Sequence, residues 1–206
     1  MPPVPRATLR RTPRQQRSRE MVERIIDAGQ AVLIAHGYEG ASTNRIAAAA
    51  RISPGSLYQY FPNKDAVIGA AIDRYNSEVS GRVRAQVLQC MTEPPEIALR
   101  QSVSALLDAL GDKPELLRAV VEQTPRLSVG HTVVNFEDQI AELTRAALTL
   151  RGYRPPQDTN IAAAAWMLVR TVEHLTVRYI LDRPDIPRDA FLTNLTRMVL
   201  NYFRGP

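Results

Sequence analysis

The stretch SPGSLYQYFPNK, Ser53 to Lys64, crowds hydroxyl, amide and ammonium groups into a segment with room for about one and a half helical turns. None of them forms an acid–base pair, a nucleophile with its base, or a metal-ligand cluster. The hydroxyls of Tyr58 and Tyr60, the amide of Gln59 and the ammonium of Lys64 are instead groups that bond phosphate oxygens and base edges. Elsewhere the three histidines, His36, His131 and His174, fall in no HExxH pattern, no Gly-rich phosphate loop is present, and Cys90 sits in no nucleophile motif. An enzyme therefore has nothing concrete to rest on, and no cofactor or metal is expected.

Apolar residues at helical spacing supply the elements that must hold this stretch. From Ser18, read as an N-cap, Met21, Val22, Ile25, Ile26, Gly29, Val32 and Leu33 recur with helical period as far as HGY, where Gly37 supplies a left-handed stop. A second helix begins at Ser42 or Thr43 and runs through Ile46 and Ala47 to about Ala50, because Pro54 forbids a continuous ladder. Ser53 caps a third, with Pro54 at its first position, where a missing N–H costs nothing. Asn63 caps a long fourth helix carrying Val67, Ile68, Ala71, Ile72, Tyr75, Val79, Val83 and Val87 to about Met91. Further helices are expected near 95–111, 114–124, 132–151, 158–182 and 188–203. Hairpin signals are missing while Ala, Leu, Arg, Val and Ile dominate, so the expected class is all-α.

At 206 residues the chain is long enough for a small domain fused to a medium one. Its charge is distributed unevenly. Residues 1–65 hold nine Arg and one Lys against five acids (Glu20, Glu23, Asp27, Glu39 and Asp65), and the remainder carries sixteen bases and sixteen acids, so the whole formal excess of +5 lies in the N-terminal third. Any polyanionic partner is localised there. Arg6, Arg10, Arg11, Arg14, Arg17 and Arg19 precede the first acid, and the Pro- and Gln-containing part of this run, 1–16, is read as a flexible basic arm. Such an arm is either a solvated tail or a strand that follows phosphates or enters the minor groove. The N-terminus has no apolar core of a signal peptide, and the longest apolar run, Ile161–Val169, is far short of the roughly 20 residues needed to cross a bilayer, so a soluble protein without a membrane partner is expected. The single cysteine allows no internal disulfide and is compatible with a reducing cytoplasm.

Two short helices joined by a tight turn, the second opening on Pro54, Gly55 and Ser56, read as a helix-turn-helix whose second member enters the major groove. Gly55 and Ser56 have almost no side chain, so that helix N-terminus can approach base edges and phosphates closely, and its free N–H groups favour the anionic backbone. Leu57 and Phe61 point inward, leaving Tyr58, Gln59 and Tyr60 outward. Gln59 can pair with an adenine edge, and Lys64 meets phosphate at the start of the next helix. Thr43 offers a hydroxyl at the front, with Asn44 and Arg45 close to the groove's edge.

The stretch STNRIAAAARISPGSLYQYFPNKDAV resembles the DNA-binding signature of the TetR family of bacterial transcriptional repressors, and the likeness covers about residues 17–70. It implies that Thr43, Asn44, Pro54, Gly55, Ser56, Tyr58, Gln59, Tyr60 and Lys64 fall on DNA-contacting positions. It also implies a bacterial cytoplasmic regulator, with a helix-turn-helix domain over 17–68 followed by a variable helical domain over 69–206 for ligand binding and dimerisation. One departure is Arg51, where the family usually has Gly; a left-handed Arg costs roughly 1 kcal/mol or more relative to Gly.

The larger domain carries no comparable motif. Broad apolar stripes run along 158–182 (Leu168, Leu175 and Tyr179 among them) and 188–203 (Leu195, Met198 and Tyr202 among them). Two such helices from each subunit could pack as a four-helix homodimer interface; otherwise both stripes face the monomer's own core. For a small, mainly apolar or aromatic effector, the candidates are Trp166, Met167, Arg170, Glu173 and His174 on one helix, Glu122 and Gln123 on another, and Asn135 on a third. An ion pair of Arg170 with Glu173 or His174 would explain those residues without a ligand. The composite expectation is a ligand-responsive repressor that binds a palindromic double-stranded DNA operator as a dimer. An activator, a ligand-independent regulator and a helical protein-interaction module remain as alternatives.

Overall fold

Apolar side chains at helical spacing close the chain into helices throughout the residues that the computed structural model describes. These are 16–123, 130–150, 152 and 160–204, with side chains for all except 123, 130–137 and 203–204. Nine α-helices are seen among them: α1 (Gln16–Gly40), α2 (Thr43–Ala49), α3 (Pro54–Tyr58), α4 (Lys64–Gln89), α5 (Pro95–Gly111), α6 (Pro114–Gln123), α7 (Gly130–Leu150), α8 (Ile161–Asp182) and α9 (Arg188–Arg204). The all-α class and the order of helices are those the sequence implies. Most of the basic arm, residues 1–15, lies outside the described residues.

These helices group into two compact units. The first takes in α1, α2, α3, α4 as far as Asn76, and α6 from Glu115; the second takes in α4 from Ser77, α5, α7 from Thr132, α8 and α9. In the first unit α1 packs on α2 and α2 on α3. Ile25, Ile46, Leu57, Val67, Ile68, Ala71 and Ile72 are fully buried there. Polar contacts fix α4 against α1 across this core. The Gln30 amide, itself buried, donates to the Ala71 carbonyl at 3.1 Å, and the Arg74 guanidinium spans Glu23 at 2.9 Å and Asp27 at 2.6 Å. Gly29 lets the two helices come close, because a Cβ placed on it would lie 2.8 Å from a Val67 methyl carbon.

Helix ends follow local chemistry. Among the described residues α1 already runs from Gln16, so Ser18 lies within it and is not its N-cap. Gly37 breaks the regular run at φ 63°, ψ 179°, and one further turn follows to Gly40. The Ser42 side chain caps α2 by accepting the Arg45 N–H at 3.2 Å. The end of α2 is a Schellman motif: the Arg51 N–H donates to the Ala48 carbonyl and the Ile52 N–H to the Ala47 carbonyl, each at 3.0 Å, with Arg51 left-handed at φ 55°. In the second unit α5 packs on both α8 and α9. Asn160 caps α8 by accepting the Ala163 N–H at 2.7 Å, which starts that helix at Ile161 and not at 158.

Two outcomes follow for stability. Gly29→Ala gains roughly 0.5–1 kcal/mol of helix propensity but drives a methyl into the stiff, buried Val67, which costs about 1–3 kcal/mol. Urea denaturation should show net destabilisation that shrinks in a Val67→Ala background; an equal loss in both backgrounds would mean the close approach of α1 and α4 is not the cause. Arg51→Gly should instead stabilise by about 0.5–1 kcal/mol, by relieving the left-handed residue. A loss of stability would show that the arginine side chain contributes more than its backbone costs.

Candidate nucleic-acid interface and apolar cavity

Helix α3 spans five residues and is fixed from both sides. At its start the Ser53 hydroxyl accepts the Ser56 N–H at 3.1 Å and lies 2.9 Å from the Ser56 hydroxyl, while Pro54 occupies the first turn. On its inner face Leu57 and Phe61 are buried, at 0% and 2% exposure. Everything else faces out: Pro54, Gly55, Tyr58 and Gln59 are exposed, and Ser56 and Tyr60 half-buried. A Cβ on Gly55 would meet only the Ser53 hydroxyl oxygen, at 3.9 Å. Packing within the protein thus does not require glycine there, and the bare backbone is left for something that approaches from outside.

The remaining expected contact residues gather around this helix in two groups. Thr43, at the start of α2, has its hydroxyl 3.2 Å from that of Tyr58, so the front of α2 and the end of α3 share one hydrogen bond. Asn44 and Arg45 are exposed beside Thr43, and the Arg45 guanidinium donates back to the Gly40 carbonyl. At the start of α4 the Lys64 ammonium donates to the Tyr38 carbonyl at 3.2 Å and lies 4.4 Å from the centre of the Tyr38 ring. The Tyr38 hydroxyl in turn donates to Asp65 at 2.8 Å. An ammonium has three donors, so this seat orients Lys64 and leaves protons for an anion. Asn63 caps α4 as expected, accepting the Ala66 N–H at 2.9 Å. Tyr38 was not singled out by the sequence, where HGY reads only as a helix stop.

In the second unit, side chains of α4, α5, α7, α8 and α9 line a partly open cavity of about 160 Å³. Its walls are mainly aliphatic, with Val83, Leu99, Val103, Ile140, Leu168 and Val172 typical of them. Cys90 lines one end, its thiol donating to the Gln101 side-chain oxygen and accepting from the Gln86 amide, both at 2.9 Å. Glu173 also lines it. Burial raises the pKa of its carboxyl, against the opposing pull of His174 and Arg170.

Of the effector candidates on α8, Glu173 alone is part of this lining. Successive residues turn by about 100° along a helix, so Trp166, Met167, Arg170 and His174 share one side of α8. Leu168, Val169 and Val172 share the other, with Glu173 at the boundary. Trp166 is 50% exposed and Met167 41%. Arg170 pairs with Asp138 of α7 at 3.2 Å and stacks over Trp166 at 4.8 Å, in place of the expected pairing with Glu173 or His174. Glu122 is exposed on α6, in the first unit. The side chains of Gln123 and Asn135 lie outside the described residues.

The two apolar stripes divide between inside and outside. Leu168 lines the cavity and Leu195 is buried within the protomer at 4% exposure. Leu175 and Tyr179 are half-buried, Tyr179 stacking on Phe191 at 4.2 Å. Met198 and Tyr202 stay exposed at 50% and 37%. Among the described residues no group of three or more His, Cys, Asp or Glu side chains is placed to hold a metal ion, and no helix is long and apolar enough to cross a membrane.

Two family models match the chain, that of the bacterial regulatory proteins of the tetR family over residues 25–71 and that of the tetracyclin repressor-like C-terminal domain over residues 94–203. The HTH-type transcriptional repressor DhaR of Mycobacterium sp. (strain GP1) is 25% identical over 181 residues, covering 83% of this chain and 88% of DhaR. Among solved structures, a TetR-family protein of Mesorhizobium loti MAFF303099 superposes with a TM-score of 0.71 at 23% identity, over 92% of this chain and 97% of its own. The fatty acid degradation regulator FadR of Bacillus halodurans does so with a TM-score of 0.70 at 21% identity, over 90% and 97%. At those identities the two structures share the fold. With a helix-turn-helix at the N-terminus and a family model spanning more than half its length, the chain belongs to the TetR family of bacterial, DNA-binding transcription regulators.

Proposed function

We propose that this regulator is a repressor that binds a two-fold-symmetric operator as a homodimer and leaves it when a small, mainly apolar effector fills the cavity of the second unit. The observation that carries the DNA half is the division of labour on α3: Leu57 and Phe61 hold the helix, and Tyr58 and Gln59 take no part in that core. In this reading Thr43, Tyr58, Tyr60 and Lys64 bond phosphates, Gln59 reads an adenine edge, and Asn44 and Arg45 lie along the groove. Pro54, Gly55 and Ser56 let the backbone come close. The relative DhaR carries the name of a repressor, which favours that sign of regulation.

For the effector half, α4 carries Lys64 at its start and Val83 and Val87, which line the cavity, toward its end. A molecule seated against those valines touches the helix that presents Lys64. It acts as a switch only if it binds the released conformation more tightly than the DNA-bound one. For dimerisation, Trp166 and Met167 on α8 and Met198 and Tyr202 on α9 are the exposed apolar side chains that a second copy would cover.

Fluorescence anisotropy on DNA flanking the protein's own gene tests the contact roles. Lys64→Ala should weaken all sequences about equally and lower the salt slope by about 0.9, the value for one phosphate. Gln59→Ala should relax preference at one base pair per half-site by roughly 1–3 kcal/mol. An unchanged salt slope for the first variant would remove Lys64 from the phosphate contacts. The dimer is tested at Met198, because Leu195 lies in the protomer core and its substitution would damage folding. Met198→Arg should sediment as a folded monomer; a variant that stays dimeric would move the interface elsewhere.

A further inference from the structure

Among the described residues that line the cavity, Glu173 is the only one with a formal charge. No hydrogen bond from a described residue reaches its carboxyl. The charges near it are accounted for: Arg170, on the same helix, is held by Asp138 of α7, and His174, next in the chain, is exposed. Among the described residues, the lining from α4, α5, α7 and α9 brings no other formal charge, and the Cys90 thiol is the remaining titratable group there. An ionised carboxylate among mainly aliphatic side chains is costly unless it is paired, and no described residue hydrogen-bonds this one, Arg170 and His174 acting on it through their charge alone.

We infer that the cavity takes a small aromatic or aliphatic molecule carrying one protonated amine, with the ammonium paired to Glu173 and the hydrocarbon part against the aliphatic walls. This rests on the reading of the cavity as the effector site. Two hydroxyls supply further acceptors along the lining. Ser102, whose proton goes to the Ala98 carbonyl at 2.8 Å, keeps free lone pairs, and Thr144 is the second. The volume suits the probe series, since a cavity of about 150 Å³ lined by apolar side chains accommodates benzene. A neutral hydrocarbon of the same shape would gain the walls but leave the carboxyl unmatched.

The pH dependence has a definite sign. Burial favours the protonated carboxyl, so the ammonium must compete with a proton for Glu173. Amine affinity should fall as pH drops from above the raised carboxyl pKa toward the ordinary carboxylate range. Affinity for a hydrocarbon should not fall in this way.

The test is calorimetric titration of the full chain with benzylamine, benzyl alcohol and toluene at about pH 8 and about pH 5, with operator release followed by anisotropy in the same samples. Benzylamine should bind roughly 10- to 100-fold more tightly than benzyl alcohol or toluene at the higher pH. That preference should shrink at the lower pH and vanish in Glu173→Gln, a variant expected to keep its affinity for toluene. Equal affinities for the three compounds, a preference that survives Glu173→Gln, or no binding at all would overturn the inference. The wild-type comparison alone decides the matter if the variant fails to fold. Toluene that binds and releases DNA without any advantage for the amine would sink the inference and leave the effector reading intact. Benzylamine that binds through Glu173 without releasing DNA would do the reverse.

Discussion

Five residues close little more than one helical turn, and a turn of that length does not persist in water by its own hydrogen bonds. Helix α3 stands because Leu57 and Phe61 are sunk into the first unit and because Ser53 satisfies an N–H that would otherwise be orphaned. The frame that receives those two side chains is set by the close contact of α1 and α4 at Gly29 and Val67, reinforced by Gln30 on the Ala71 carbonyl and by Arg74 across Glu23 and Asp27. Two anchors and a cap consume the inward half of α3. The outward half, with Gly55 bare and Tyr58 and Gln59 exposed, is thereby left out of the buried core, Tyr58 touching the fold through its hydroxyl at Thr43.

The second unit solves a different problem. α5 packs on both α8 and α9, and Val103, Leu106, Leu107 and Leu110 bury its inner face. The helices around it leave a space of about 160 Å³ whose walls would be an ordinary core but for Glu173. A carboxyl in that setting works against stability, since burial penalises its charged form. Local conflicts of this kind are expected where a site must meet a ligand. Arg51 presents a milder conflict at the end of α2, where the Schellman geometry calls for a left-handed residue and the chain supplies a β-carbon.

Much of the first unit was legible in the sequence because its signals are local. Ser53 with Pro54, Asn63 ahead of α4, and the pair Leu57 and Phe61 each announce themselves within a few residues, and caps and short-range periodicity suffice to place them. The left-handed turn at Arg51 was suggested only by the family resemblance, in which Gly is usual at that position. What escaped depends on tertiary direction. The seat of Lys64 on Tyr38 joins residues far apart in the chain, with no pattern to tie them. On α8 apolar residues run almost all the way round, so periodicity could not say which side lines the cavity; Trp166 and Met167 turned outward while Leu168 and Val172 turned in. Leu195 and Met198 belong to one stripe on α9, yet one is buried in the protomer and the other half-exposed, a division invisible in α9 alone.

The claim that matters most is that the outward face of α3 reads DNA from two symmetry-related copies of this chain. Hydroxyl-radical footprinting on the DNA flanking its gene addresses it at single-nucleotide resolution. The account predicts protected patches related by a dyad and lying on one face of the duplex, their centres separated by one helical turn or a multiple of it. Protection without a dyad, or a footprint that persists unchanged when Tyr58 and Gln59 are both replaced by alanine, would contradict it.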